Sequence, residues 1–207
     1  MIEDGKIIAI IRRLYGDTLI RLAEALNEGG IKVIEVTFDQ ADPECLSKTS
    51  EAISRLSRTF GDSMLYGAGT VLNTEQVETA RQAGARYIVS PNVSPEVIRL
   101  TKSLGLISIP GAMTPSEILH AHDCGADYVK IFPAGELGLP YIKAVRAPIS
   151  HVKFVAAGGV NEQNLGDFLN AGYTAAAVSG RLTDSAVIEA GDFDEITRRA
   201  RAFCEFC

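Results

Sequence analysis

A closed parallel (β/α)8 barrel, in one domain over residues 1–207, is the fold class this sequence predicts. Three observations predict it. Short apolar segments alternate with amphipathic ones eight times in 207 residues. The apolar segments read as strands buried on both faces, as parallel sheets require. The stretches between them are short, and no Gly/Ser/Pro-rich linker divides the chain. The structural rival is an open doubly wound sheet. It is weakened because no G-x-G-x-x-G follows the first strand.

Ile7–Ile11 reads as the first strand. Asp17–Glu28 reads as a helix with Asp17 as its N-cap and Gly29-Gly30 as its stop. Val33–Phe38 is the second strand and Pro43–Phe60 the second helix. Leu65–Val71 is the third strand, and Asn73-Thr74-Glu75-Gln76 opens a helix running to about Ala83. Tyr87–Ser90 is the fourth strand, and Ser94-Pro95-Glu96 opens its helix with proline at the first helical position. Leu106–Pro110 is the fifth strand, followed by a capping box at Thr114-Pro115-Ser116-Glu117. Tyr128–Phe132 is the sixth strand, with a helix over about Leu139–Val145. Phe154–Ala157 and Asn161–Asn170 form the seventh pair. Ala175–Val178 is the eighth strand, and the last helix spans about Phe193 to Phe206.

Composition narrows the function. With 46% hydrophobic residues the chain can bury a sizeable core. The net charge of −6 argues against a nucleic-acid or anionic-membrane surface. No apolar run approaches the ~18–20 residues that a membrane span needs. The N-terminus is short and acidic, unlike a signal peptide, so the cytoplasm is the expected setting. Four scattered cysteines do not make a disulfide scaffold. Cys204-Glu205-Phe206-Cys207 spells C-x-x-C, but no second pair or preceding strand supports a zinc or redox site. His120 and His122 are two apart, which splits them between helix faces. No metal site is expected.

One residue stands out. Lys130 lies mid-strand in Tyr128-Val129-Lys130-Ile131-Phe132-Pro133. Alternation sends Val129 and Ile131 one way and Tyr128, Lys130 and Phe132 the other. Desolvation there favours the neutral amine, a nucleophile able to form a Schiff base with a ketone. In Val33–Phe38 the same rule turns Glu35 and Thr37 inward; Thr70 points inward at the end of the third strand. Glu35 is the one inward carboxylate found at mid-strand. A buried Glu35–Lys130 ion pair is one account of the two. A reacting pair, with Glu35 moving protons around the imine, is the other. In a barrel the site lies at the C-terminal strand ends, where polar residues and Gly158-Gly159 also cluster. Free amides of that glycine pair at a helix N-terminus would suit an anion, although a tight turn would look the same.

The motifs Glu35-Val36-Thr37, Gly67-Ala68-Gly69-Thr70-Val71, Ser90-Pro91, Pro110-Gly111, Lys130-Ile131-Phe132-Pro133-Ala134 and Gly158-Gly159-Val160 occur in this order on successive strands. In this the chain resembles the 2-keto-3-deoxy-6-phosphogluconate (KDPG) / 4-hydroxy-2-oxoglutarate (KHG) aldolase family over nearly its whole length. The resemblance implies a TIM-barrel class I aldolase, metal-independent and without cofactor, commonly a homotrimer. Such enzymes cleave a 2-keto-4-hydroxy acid to pyruvate and an aldehyde, either glyceraldehyde 3-phosphate or glyoxylate. It implies that Lys130 forms the Schiff base and Glu35 is the general acid/base. It places Thr70 and Pro91 at the pyruvate carboxylate and carbonyl, and Phe132 in the pocket wall.

Several positions depart from the family pattern. Asp39 stands where many members carry a substrate-binding arginine. A branch of the family instead has an arginine at the end of strand one, which Arg12 matches as a carboxylate or phosphate clamp. Ala157 replaces a threonine before the glycine pair. The usual G-S after strand eight reads Ser179-Gly180-Arg181, so the phosphate-binding serine is displaced by one or lost. Either Arg181 compensates or the aldehyde lacks a phosphate. The helix that often precedes strand one is expected to be missing, leaving one barrel end less covered.

Three function classes therefore stand side by side. The first is the pyruvate aldolase, acting on 6-phosphogluconate-, 6-phosphogalactonate- or hydroxyglutarate-type substrates. The second is a barrel that binds a small acid without turning it over, favoured by Asp39, Ala157 and Gly180. The third is a phosphate-binding barrel isomerase or synthase that gives Lys130 no covalent role.

Overall fold

The strand segments close into a ring, and Pro110 is where the closure is made. In the computed structural model, which describes residues 2–206, nine parallel segments follow one another. They are β1 (Ile7–Ile11), β2 (Val33–Thr37), β3 (Leu65–Gly69), β4 (Tyr87–Val89), β5 (Ile107–Ile109), β6 (Gly111–Ala112), β7 (Val129–Ile131), β8 (Phe154–Ala157) and β9 (Ala175–Val178). Their order in the sheet is β5-β4-β3-β2-β1-β9-β8-β7-β6. The two ends of that order are one run of chain broken only at Pro110. Its first half pairs with β4 and its second with β7, and Lys130 N donates to Pro110 O at 2.8 Å. The predicted fifth strand is therefore two short segments split by a residue with no N–H to give. Closure rules out the open doubly wound sheet.

The strands sort their side chains by alternation. Ile7, Ala9, Ile11, Ile34, Val36 and Phe38 join the outer core between barrel and helices. Ile8, Ile10, Val33, Tyr87, Val155, Ala157, Ala175 and Ala177 fill the barrel interior. The expected inward turn of Glu35 agrees with this, since its neighbours Ile34 and Val36 lie outside.

The helices follow the sequence signals with several corrections. Asn73, Ser94 and Thr114 cap their helices as expected, Thr114 with Glu117 as a complete capping box. The first long helix, Gly16–Glu28, is preceded by Tyr15 at the cap position. Asp17 instead lies in its first turn and pairs with Arg55 at 2.5 Å. The next helix begins at Cys45, because residues 42–44 form a turn held by Asp42. The helix after β7 starts early, at Ala134, and runs to Arg146 across a break at Gly138 (φ 73°). After β9 come a 3-10 turn, Gly180–Thr183, and a short helix, Ser185–Glu189, before the last helix, Phe193–Cys204.

The expectation of an uncovered barrel end is corrected. A single helical turn, Ile2–Gly5, precedes β1 and places Ile2, 3% exposed, in the inner core. Glu3 fastens this plug by accepting from Tyr128 Oη at 2.9 Å and Lys153 Nζ at 2.6 Å. Cys207 lies outside the described residues. Among the described residues no group of three or more His, Cys, Asp or Glu could hold a metal, and no helix is long and apolar enough to cross a membrane.

Candidate active site

At the C-terminal ends of the strands a cavity of about 490 Å³ opens. All ten residues singled out from the sequence line it: Arg12, Glu35, Thr70, Pro91, Lys130, Phe132, Gly158, Gly159, Ser179 and Gly180. Alternation explains most of the set. Arg12 continues the inward face of Ile8 and Ile10, and Ser179 that of Ala175 and Ala177.

Glu35 on β2 and Lys130 on β7 come from opposite walls, three strands apart through β1, β9 and β8. No ion pair joins them among the described residues, and Glu35 Oε2 is buried without a hydrogen-bond partner. The buried-ion-pair account is thereby set aside: the two groups face one space. Burial pushes the Glu35 carboxyl above its usual range, with Lys130 and then Arg12 opposing it. Burial likewise lowers the Lys130 amine below 10.5, with Glu35 opposing and Arg12 adding to the fall. Both groups are driven toward neutrality, so one can attack a carbonyl while the other holds a proton to give.

Two glycines that alternation turns inward on β3 make this possible. Gly67 lies between Glu35 and Tyr87 in register, and a Cβ there would sit 2.3 Å from the Tyr87 ring. At Gly69 a Cβ would sit 1.8 Å from Glu35 Oε1. The G-A-G-T run is therefore a space requirement: without it neither Tyr87 nor Glu35 fits the interior.

Strand alternation, expected to turn Thr70 inward, turns Gly67 and Gly69 inward instead and would send Thr70 outward with Ala68; Thr70 reaches the cavity by leaving the strand at φ 57°. That region is rare for a β-branched residue and costs on the order of 1–3 kcal/mol. Phe132, 47% exposed, forms the rim, with its ring centroid 5.5 Å from Lys130 Nζ.

The far side of the cavity carries the polar loops. Arg12 Nη1 donates to Ser179 Oγ at 3.2 Å, so the serine stays in the cavity despite its shifted place in the motif. Arg13 turns away to pair with Asp39 at 2.7 Å, and Arg181 pairs with Glu162 at 2.8 Å. Of the three arginines, Arg12 alone lines the main cavity. Gly158 and Gly159 have φ 83° and 78°. Gly135 packs so close that a Cβ on Gly159 would lie 2.9 Å from its Cα. The following helix starts only at Leu165, so the pair is a left-handed turn and not a helix N-terminus. Sequence reasoning did not single out Asn161 and Ala177 in the lining, nor the buried Tyr87 and Gln76. Only the inward parity of Ala177 and Tyr87 could have flagged any of them.

A family model described as "Aldolase: KDPG and KHG aldolase" matches residues 1–199. The chain is 39% identical over 163 residues to a probable 2-dehydro-3-deoxy-6-phosphogalactonate aldolase of Rhizobium meliloti (78% of this chain, 74% of the relative). It is 34% identical over 197 residues to the 2-dehydro-3-deoxy-phosphogluconate aldolase of Treponema pallidum (95% and 90%). Among solved structures, it superposes with a TM-score of 0.85 on KDPG aldolase from Legionella pneumophila, captured at low pH with pyruvate as a covalent carbinolamine intermediate. The two share 30% identity over 96% of this chain and 93% of that one.

Proposed function

We propose a Schiff-base mechanism from one fixed premise: this chain belongs to the KDPG and KHG aldolase family. It is an aldolase, a carbon–carbon lyase acting on 2-keto-4-hydroxy acids. The observation that carries the residue assignment is the pairing of Lys130 and Glu35 across one cavity, unbonded to each other and both driven toward neutrality.

Neutral Lys130 Nζ attacks the C2 ketone and forms a carbinolamine. Loss of water, with Glu35 supplying the proton, gives a protonated imine. Glu35, left as a carboxylate, takes up the C4 hydroxyl proton as the C3–C4 bond breaks. The electron pair of that bond moves into the imine as an enamine, and the aldehyde departs. Protonation at C3 and hydrolysis of the imine then release pyruvate and restore the amine. The imine is the electron sink, so no cofactor enters the cycle.

Thr70, Pro91 and Phe132 hold the pyruvyl half in this reading. Arg12, Ser179, Gly180 and the Gly158-Gly159 turn hold the anionic end of the aldehyde half; a guanidinium fork suits phosphate or carboxylate alike. The likeness to a phosphogalactonate aldolase and the arginine at the end of β1 favour a 6-phosphorylated keto-deoxy acid over hydroxyoxoglutarate. A homotrimer in the cytoplasm completes the proposal. Light scattering should give roughly three times the 22.2 kDa chain mass.

The test is borohydride reduction in the presence of pyruvate, followed by intact mass and peptide mapping. A pyruvate-sized adduct on Lys130, absent in Lys130→Ala, is expected. Pyruvate release from the phosphogluconate, phosphogalactonate and hydroxyoxoglutarate substrates then ranks the aldehyde halves. A folded protein that binds pyruvate saturably, yields no adduct and cleaves none of the three substrates would return the site to a binding role.

A further inference from the structure

Thr70 is held in its left-handed conformation by side chains, not by the strand ladder. The ladder flanks it on both sides. Gly69 O accepts from Phe38 N at 2.9 Å, and Val71 N donates to Val89 O at 3.1 Å. Thr70 itself turns out of line at φ 57°. Its carbonyl accepts from Gln40 Nε2 at 2.7 Å. Gln40 Oε1 in turn accepts from Gln76 Nε2 at 2.9 Å. Gln76 is 3% exposed, and its remaining amide oxygen accepts from Leu72 N at 2.7 Å. Its backbone N–H is fixed by Asn73 Oδ1 at 2.9 Å. Both amide groups thus use a donor and an acceptor along one line from the cap of a helix to a cavity residue.

We propose that Gln40 and Gln76 form a positioning relay that holds Thr70 in the geometry needed to receive the pyruvate end of the substrate. Neither glutamine lines the main cavity, so neither is a catalytic residue. The buried Gln76 amide, bonded through both its oxygen and its nitrogen, is held rigidly and in turn fixes the exposed Gln40 amide against Thr70. Gln40 follows β2 closely, and Gln76 lies on the helix after β3. The relay therefore couples the loop beyond Glu35 to the loop carrying Thr70. It rests on the Schiff-base reading above, because Thr70 needs positioning only if a keto acid docks there.

Gln40 is exposed, so its substitution leaves the core intact. Gln40→Ala and the bulkier apolar Gln40→Leu are compared with the parent by borohydride trapping over a range of pyruvate concentrations. Both should raise half-saturation about fivefold, the worth of one hydrogen bond. The maximal trapping rate should stay within about twofold, and the melting temperature should fall by about 2–4 °C, because Gln76 Nε2 loses its partner. Asparagine tolerates the left-handed region better than threonine. In a Thr70→Asn background, Gln40→Leu should therefore add less than about twofold.

Gln40→Leu with the parent's half-saturation would overturn the relay, as would a loss of equal size in the Thr70→Asn background, which would mean direct contact with substrate. A parent protein that traps no pyruvate on Lys130 refutes the Schiff-base reading and the relay with it. Normal trapping with unaffected Gln40 variants refutes the relay alone.

Discussion

Adding one methyl group at Gly69 separates the placement of Glu35 from the stability of the barrel. A Cβ there lies 1.8 Å from Glu35 Oε1, and ordinary contact begins at 3.4 Å, so the carboxyl must retreat by about 1.6 Å (3.4 − 1.8). The obstacle is the Glu35 side chain from Cγ outward, and it borders a cavity into which it can swing. The overpacking cost should be at the low end of its usual range, about 1 kcal/mol. The chemistry should suffer more. A misplacement of ~1 Å at a reacting group costs on the order of 100-fold in rate, or about 2.7 kcal/mol at the barrier. Gly67→Ala is the contrast. Its Cβ meets the Tyr87 ring at 2.3 Å, and that ring is rigid and fully buried. It should cost about 3 kcal/mol of stability. Pyruvate release coupled to lactate dehydrogenase, run beside thermal unfolding, reads both effects. Gly69→Ala turning over at the parent rate, or unfolding as early as Gly67→Ala, would show that the gap at Gly69 does not place Glu35.

Burial raises Glu35, so its cost to the fold is absent below pH 4.5 and grows as pH rises through the folded pKa. The gain in melting temperature of Glu35→Gln over the parent should therefore increase from pH 5 to pH 8. Burial lowers Lys130, so its cost is absent above pH 10.5 and full below the folded pKa. The stabilisation from Lys130→Met should shrink as pH approaches 10, while borohydride trapping is lost at every pH. Arg12→Ala should raise KM for phosphorylated substrates about tenfold or more, since a charge-assisted contact contributes ~1.5–3 kcal/mol. It should also move the rising limb of the pH–rate profile upward, because Arg12 helps hold Lys130 low. Ile2→Ala should cost about 2–4 kcal/mol in urea unfolding. It should leave kcat unchanged, because the plug lies at the opposite end of the barrel from the cavity.

Side-chain parity made most of the site legible. Once Val33–Phe38 and Tyr128–Phe132 are read as strands, Glu35, Thr37, Lys130 and Phe132 must share the interior. Arg12 and Ser179 follow by continuing β1 and β9. What parity does not carry is the third dimension around the ring. The break at Pro110 comes from a missing N–H that matters only when both ends of the sheet meet there. The glycine pair looked like a helix N-terminus because sequence distance hid the turn of Asn161 and Asn164 that delays the helix to Leu165. The plug at Ile2–Gly5 is a single turn, too short for periodicity to register, and it is fastened by Tyr128 and Lys153, more than a hundred residues away.

The separation of Glu35 from Lys130 is the deeper consequence of the ring. On an open sheet, a buried acid and a buried amine on the same face would gain most by closing into contact. Each would then hold the other charged, and the amine would lose its nucleophilicity. Here three intervening strands hold them on opposite walls, and the cavity between them takes the place of a salt bridge. Each group therefore meets chiefly the low-dielectric interior, which drives the carboxyl up and the amine down. Gly67 and Gly69 keep the Glu35 wall open, and Ala157 and Ala177 keep the strands between the two walls small. The stability that a direct pair would have supplied is forgone, and the barrel compensates through two complete apolar cores inside and outside its strands. A substitution that moved the lysine from β7 toward β1, within reach of Glu35, should hold both groups charged, making the protein more stable by thermal unfolding and less reactive in borohydride trapping at once.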